Sequence, residues 1–364
     1  MRHFFIFITA LLLLSVNTNA QQRLIDASDH RPISAASILD ASGNMVGFTM
    51  SDGVFSEMPK TAYPITITCI GYEQIVIEHP EEKSWEMTPM VYELEEVVII
   101  PEERKIMKQT FYAREYFSIS SQSDTVTFFM EHMADRFVPV SDKIKFSGSS
   151  SLRILCTNCY MHYQIADNDS VAKDHKPQFP SMLSILGQGN DKVTAHESLL
   201  NNEDDTKIYE KPSHSGTSII QKQNAQTFTT IKGLLAGNEE QTSSPWYLKP
   251  LGLSMDISQL YITNVYRVNE NGIYLPKDLI ESSFVMEAEG KGRLIRKMVN
   301  SNEPVGIHSM ITIYMVDRDY LTKEKAKEEQ KNKPADVKFT IPSTVPPLND
   351  ATKRLVERAN SEAR

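Results

Sequence analysis

The spacing with most chemical potential is Cys156-Thr157-Asn158-Cys159, two thiols three residues apart. Redox chemistry at such a pair needs the first cysteine at a helix N-terminus, where the dipole lowers its pKa. Here Tyr160 to Ile165 continue as a strand, and a zinc half-site would need a second pair where the chain supplies only Cys69. The spacing predicts a hairpin whose turn is Thr157-Asn158, with Cys156 and Cys159 facing each other as a local disulfide or as inert thiols. Cys69 falls on the apolar face of another predicted strand and is expected to be a small buried hydrophobe.

Other constellations are weaker. The acid clusters Glu203-Asp204-Asp205 and Asp317-Arg318-Asp319 lack the alternating oxygen donors and turn glycine of a calcium loop, which makes them solvated surface. Gly187-Gln188-Gly189 lacks the terminal Gly-Lys-Ser/Thr of a phosphate loop and reads as a turn. No Gly-x-Ser-x-Gly nucleophile elbow occurs. The 9 histidines are scattered, so an enzymatic site would have to be assembled by the fold, with His132, His162 or His196 as acting groups. A glycan platform would need Trp85, Trp246 or Tyr247 on a flat face. No catalytic, cofactor-binding or metal-ligating residue is assigned, and no cofactor is expected.

The elements around these residues belong to a chain of 364 residues, enough for two domains at roughly 150 residues each. With 40% hydrophobic and 23% charged residues it is neither disordered nor fibrous. Its 38 basic residues fall short of its 47 acids, which excludes a surplus for neutralising phosphates and argues against nucleic acid as a partner. Arg2, the apolar run Phe4 to Leu14 and Thr18-Asn19-Ala20 have the layout of a secretory leader, with cleavage after Ala20. The apolar run is shorter than the ~20 residues a spanning helix needs. No cysteine stands at Gln21 for a lipid anchor, and no later stretch is long and apolar enough for a membrane helix. The expected location is extracytoplasmic, periplasmic or outer-membrane associated, without a transmembrane segment after cleavage.

Residues 21–100 show short strands with frequent turns, at Arg23–Ala27, Ala35–Asp40, Met45–Met50, Pro64–Cys69, Ile75–Ile77 and Val97–Ile100. Ser42-Gly43-Asn44 and Ser51-Asp52-Gly53 supply hairpin turns, and the spacing predicts an all-β sandwich. Four motifs stand in order: Pro32-Ile33 with Ala35-Ala36, then Thr49 to Phe55, then Cys69-Ile70-Gly71-Tyr72, then Leu94 to Val98. Together they resemble the carboxypeptidase-like regulatory domain, a transthyretin-like module common in secreted and outer-membrane proteins of the Bacteroidetes. The resemblance implies an accessory fold without a peptidase site, so His79 and Glu82, spaced as in a zinc carboxypeptidase, are read as coincidence. It ends near Ile100, and too few residues follow for the plug and barrel of a TonB-dependent receptor.

Pro101-Glu102-Glu103 is expected to start a linker helix over 101–120. Residues 121–320 form a second, β-rich (α+β) domain, with strands at Thr125–Met130, Ser151–Leu155, Tyr160–Ile165, Thr227–Ile231, Leu260–Val268, Phe284–Ala288, Leu294–Val299 and Met310–Val316. Turns are expected at Asn269–Gly272 and Gly290-Lys291-Gly292, and a short helix at Pro180–Leu186. Asp124-Thr125-Val126 and Asp169-Ser170-Val171 resemble the acceptor pattern of Bacteroidetes O-glycosylation, the second of them in a predicted polar loop. The tail 321–364 carries a charged helix near Lys323–Lys333, a proline-punctuated stretch and a final helix capped by Asn349-Asp350 with Ala351, Leu355 and Ala359 on one face. The fold class is mainly β. The function that follows is a non-catalytic binding or assembly module of the envelope, with an outer-membrane or envelope protein, or a glycan, as partner. The alternatives are a glycan-binding module and a hydrolase with its site in 121–320.

Overall fold

The computed structural model describes residues 22–80, 84–92, 103–146, 152–166, 168–176, 181, 183, 192–196, 200–201, 207–212, 217–234, 253–299, 301–332, 334 and 336–362. The leader, the strand at Val97–Ile100, Glu203–Asp205, Gly187–Gly189, Trp246 and Tyr247 lie outside the described residues, as does most of Pro180–Leu186.

The N-terminal unit is built from β1 (Gln22–Asp26), β2 (Ser37–Leu39), β3 (Met45–Phe48), β4 (Val54–Phe55), β5 (Ile65–Thr68), β6 (Ile75–Ile77) and β7 (Ser84–Met87). They form two sheets, β4-β1-β7 and β3-β2-β5-β6, with β1 and β7 parallel. Leu24, Ile38, Phe55, Ile65, Ile67 and Met87 fill the space between them. Each such side chain contributes roughly 1.5–3 kcal/mol by leaving water. The expected sandwich is present, and Gly43 (φ 81°) and Gly53 (φ 74°) occupy the two predicted turns. The motif residues have a shared task here: buried Thr49 donates through Oγ1 to the Ile33 carbonyl at 2.6 Å and accepts from the Ala36 amide at 3.0 Å.

The rest of the chain is dominated by one sheet. Its strands are β8 (Ile106–Ser120), β9 (Thr125–Pro139), β10 (Arg153–Ile165), β11 (Asn168–Asp174), β13 (Leu200–Asn201), β14 (Lys207–Pro212), β15 (Thr217–Gln223), β16 (Thr227–Leu234), β17 (Leu253–Arg267), β19 (Leu279–Gly292) and β20 (Val305–Leu321). All pairings are antiparallel, in the order β11-β10-β9-β8-β20-β19-β17-β16-β15-β14-β13. β12 (Val193–Thr194) and β18 (Ile273–Tyr274) pair separately. The described chain also contains α1 (Arg293–Val299), α2 (Lys323–Lys331) and α3 (Asp350–Glu362), with short 3-10 turns at Lys60–Ala62 and Pro276–Asp278.

Both faces of the long sheet are covered. On the back face, Phe111, Phe117, Phe128, Phe284, Met286 and Ile311 form the main core with Ile295 and Val299 of α1. On the front face, Tyr116, Phe129, Tyr261, Val285 and Met310 receive Leu39, Met45 and Phe48 of the sandwich and Ala359 of α3. Val337, Phe339 and Val345 cover Tyr112, Met133 and Tyr314 on the same face.

Five expectations are corrected. Residues 106–120 form strand β8 instead of a linker helix, because a central strand buried on both faces shows no polar stripe or alternation. Leu294–Val299 lies within helix α1 instead of a strand, and Gly290-Lys291-Gly292 ends β19 instead of making a hairpin. A Cβ at Gly290 would stand 2.2 Å from Ile307 Cδ1 and 2.7 Å from Ile295 Cδ1, so glycine lets α1 lie close against the sheet. The two strands flanking Thr157-Asn158 are one strand, β10, with a bulge between Ile154 and Cys156 and no turn. Cys156 and Cys159, three residues apart on it, point to opposite faces and are not disulfide-bonded. Asp169 and Ser170 are paired in β11 instead of a loop.

Candidate functional site

The sandwich and the long sheet enclose a cleft of about 550 Å³ on the front face. One wall comes from the turn after β1, from Cys69-Ile70-Gly71-Tyr72 and from Pro89–Tyr92; the other comes from alternate residues of β14, β15, β16 and β17. Strand alternation selects Ile208, Ile220, Ile231 and Val265 from those strands as its apolar floor. Pockets of this size, mostly apolar with a few convergent polar groups, are the usual form of a small-ligand site.

Two polar clasps border the cleft. In the first, Lys222 Nζ contacts Asp26 Oδ2 at 2.5 Å, Asp29 Oδ2 at 3.3 Å and Tyr72 OH at 3.2 Å, while Tyr72 OH donates to Asp26 Oδ2 at 2.8 Å. Burial works to raise the Asp26 pKa, but the hydrogen bonds from Lys222 and Ser28 outweigh it and hold the carboxyl below its ordinary value. In the second, Tyr92 OH donates to Glu281 Oε2 at 3.0 Å and the Tyr92 amide donates to Gln226 Oε1 at 3.3 Å. Glu281 is 1% exposed, and its Oε1 has no hydrogen bond. Burial pushes its carboxyl up to about 7, with Tyr92 and the Gly71 amide pulling the other way.

Apart from Glu281, the ionisable groups around the cleft are locked rather than poised. Burial raises the Cys69 thiol to about 12, and burial with the Asp26 charge raises the Tyr72 hydroxyl. Lys222 is held by its carboxylates. The arrangement can bind and orient a ligand, and it offers no activated nucleophile from these groups. Cys69 lies just past β5 and is partly buried against the sandwich core, where it lines the cleft.

The three histidines proposed as acting groups are not brought together. His132 is on the back face, with Nδ1 2.9 Å from Thr157 Oγ1 and Nε2 3.4 Å from Glu115 Oε2, and Ser181 Oγ donates to the same Glu115 oxygen at 2.7 Å. Hydroxyl, imidazole and carboxylate in sequence is a nucleophile-base-orienter arrangement. The His132 and Glu115 side chains are 0% and 1% exposed, however, so the arrangement is enclosed in the core. His162 is on the front face with Asp169 at 3.1 Å, and His196 stacks on Tyr209 with ring centroids 3.9 Å apart. Trp85 packs partly buried against the sandwich core, and exposed His79 has no metal-binding group around it among the described residues.

Of the cleft residues, sequence reasoning touched Cys69 and Tyr72 through the motif they share. Asp26, Lys222, Tyr92 and Glu281 carry no local signal, since the first and last pairs meet across 196 and 189 residues of chain.

No protein family and no curated protein matches the chain. A solved structure described as lipid-protein interactions in lipovitellin is similar at 9% identity over 60% of this chain, with a TM-score of 0.27. The chain spans about a quarter of that structure, 26% of it, and a likeness at this level carries no argument about fold or function. No helix among the described residues is long and apolar enough to cross a membrane.

Proposed function

We propose that this chain is a non-catalytic binding or assembly module of the bacterial envelope, and that its ligand or partner segment is held in the cleft between sandwich and long sheet. The observation that carries this is the cleft itself: an apolar space of about 550 Å³ whose walls come from two different units and whose ionisable groups are paired or held neutral. The leader pattern in residues 1–20 supports export, and the four sandwich motifs support kinship with the carboxypeptidase-like regulatory domain. A hydrolase reading is disfavoured because His132, His162 and His196 lie apart and the one hydroxyl-imidazole-carboxylate row is enclosed. A glycan platform at Trp85 is disfavoured by that residue's packing into the sandwich.

Val91 lines the cleft and is 82% exposed, whereas Val76 is 54% exposed and does not line it. A photocrosslinking residue placed at either position, in cells carrying the native envelope, tests the reading. The expected result is a reproducible adduct from position 91 that Ile220→Glu abolishes. Equal adducts from positions 91 and 76, or an adduct from 91 indifferent to Ile220→Glu, would overturn it.

A further inference from the structure

The lining of the cleft, about 550 Å³ in volume, discriminates among ligands by charge. Three charged side chains line it, and each has its counter-charge within the protein. Arg31 Nη1 stands 3.8 Å from Glu210 Oε1, a pair that joins the sandwich wall to β14. The Lys222 ammonium faces an oxygen of Asp26, one of Asp29 at 3.3 Å and the Tyr72 hydroxyl at 3.2 Å, three acceptor atoms for its three N–H groups. Asp26 and Asp29 do not line the cleft, so a cationic ligand meets Lys222 before either carboxylate. The other ionisable groups of the lining are Cys69, Tyr72 and Tyr92, and burial raises all three, which keeps them neutral near pH 7. A charged group drawn into this space loses water and finds no free counter-charge among these residues.

An extended peptide is disfavoured for a separate reason. Its amides and carbonyls need partners, and the floor is the face of a sheet whose strands bond to one another: β15 to β14 and β16, and β16 to β15 and β17. The opposite wall is tied in the same way, with the Tyr72 amide on the Cys69 carbonyl, the Met90 amide on the Gly71 carbonyl and the Tyr92 amide on Gln226. A sugar chain would set its hydroxyls against Ile208, Ile220, Ile231 and Val265.

The floor has two polar points. In the register of β16 and β17, Thr229 is opposite Val265 and Ile231 is opposite Thr263, which sets two hydroxyls diagonally among apolar side chains. They give a ligand two places at which a hydroxyl or ester oxygen can be held. Val91, 82% exposed, and half-buried Met90 continue the apolar surface on the facing wall.

We propose that the cleft binds an uncharged lipid, its hydrocarbon on Ile208, Ile220, Ile231 and Val265 and a hydroxyl or ester oxygen at Thr229 or Thr263. This names the ligand of the binding site proposed above and rests on that reading.

Titration of the full chain with the uncharged fluorophore N-phenyl-1-naphthylamine tests it, with 1-decanol, decanoate and decylammonium as competitors near pH 7 and below micelle formation. Decanol is expected to displace the fluorophore at a concentration at least about tenfold lower than either ion, since an ion gives up hydration without gaining a partner. Ile220→Glu is expected to abolish fluorophore binding. Thr229→Val with Thr263→Val keeps the branched shape of both side chains, so the fold is retained even if the glutamate disturbs it. This pair is expected to weaken decanol by about three- to tenfold, the loss of one hydrogen bond, with the fluorophore unchanged. No fluorophore binding, equal displacement by the three competitors, stronger displacement by either ion, or a threonine pair without effect on decanol would each overturn the assignment. So would normal fluorophore binding by Ile220→Glu, which would put the site elsewhere. An adduct from position 91 with an envelope protein, in a chain that decanol does not occupy, would overturn the lipid and leave the binding module standing; the failure of both experiments would end both readings.

Discussion

Glu281 is the residue whose replacement reports most directly on how the two units hold together. It sits on β19, 1% exposed, with one oxygen on the Tyr92 hydroxyl and the other without a hydrogen bond. Burial raises its pKa from 4.5 to about 7, the folded state favouring the protonated acid. The sign of the linkage follows. Below pH 4.5 the group is protonated in both states and its full contribution is present; as pH rises toward about 7 the unfolded chain gives up the proton first and the contribution is lost. At about 1.4 kcal/mol per pKa unit, the ionised carboxyl above pH 7 costs on the order of 3 kcal/mol relative to the acid.

Glu281→Gln keeps the shape and an acceptor for Tyr92 but never ionises. Its stability relative to the native chain is expected to be near zero at pH 4.5 and to rise to about +3 kcal/mol at pH 8. Taking the difference between the two chains at each pH cancels the titration of all other groups they share. Urea unfolding followed by circular dichroism from pH 4.5 to pH 8 reads it directly. A difference that stays flat across that range, or a glutamine variant less stable at pH 8, would refute the reasoning that Glu281 is buried and carries a desolvation penalty.

Arg153 gives a second test. It pairs both oxygens of fully buried Asp135, at 2.8 and 2.6 Å, and donates to the carbonyls of Glu329 and Gln330 at the end of α2, both at 2.9 Å. Arg153→Ala should cost about 3–5 kcal/mol in urea unfolding by stranding a buried carboxylate, and Asp135→Asn in that background should recover part of it. The thiols give a third: a reductant should leave the thermal midpoint unchanged, because Cys156 and Cys159 point to opposite faces of β10. A fall of several degrees on reduction would show that they are bonded.

The legible parts of the fold were those with a local physical signature. Gly43 and Gly53 mark their turns because only glycine takes their positive φ without strain, and Asn349 marks the start of α3 because its side chain accepts from the Thr352 amide at 2.7 Å. β8 was illegible for the converse reason. Its residues from Phe111 to Ile119 are buried on both faces, one against the back core and one beneath the sandwich and tail, so no polar face exists to reveal the period. α1 was misread because Leu294 to Val299 is a short segment, apolar at its ends around Arg296-Lys297, too brief for its period to separate helix from strand. The cleft could not be read at all, since its partners are joined only by tertiary structure.

The tail constrains where a partner can bind. An apolar, proline-punctuated terminus suggests docking onto the chain's own second domain or onto a partner, and Phe339 and Val345 cover Tyr112 and Tyr314 of the long sheet. Arg114 Nη1 donates to the Pro346 carbonyl at 2.5 Å, and α3 is tied to β11 through Arg358 to Asp169 at 2.6 Å and Lys173 to Asn360 at 2.7 Å. Releasing this segment would expose fully buried aromatic rings on the front face, at roughly 1.5–3 kcal/mol for each large side chain uncovered. A partner that took the tail would have to replace all of that contact. A partner that takes the cleft leaves that contact in place, because the cleft is a space between the units in which Ile220 and Ile231 are half-buried and Ile208 is buried. For the binding module proposed above, these energetics favour the junction of sandwich and sheet over the tail, which covers Tyr112, Met133 and Tyr314 on the front face.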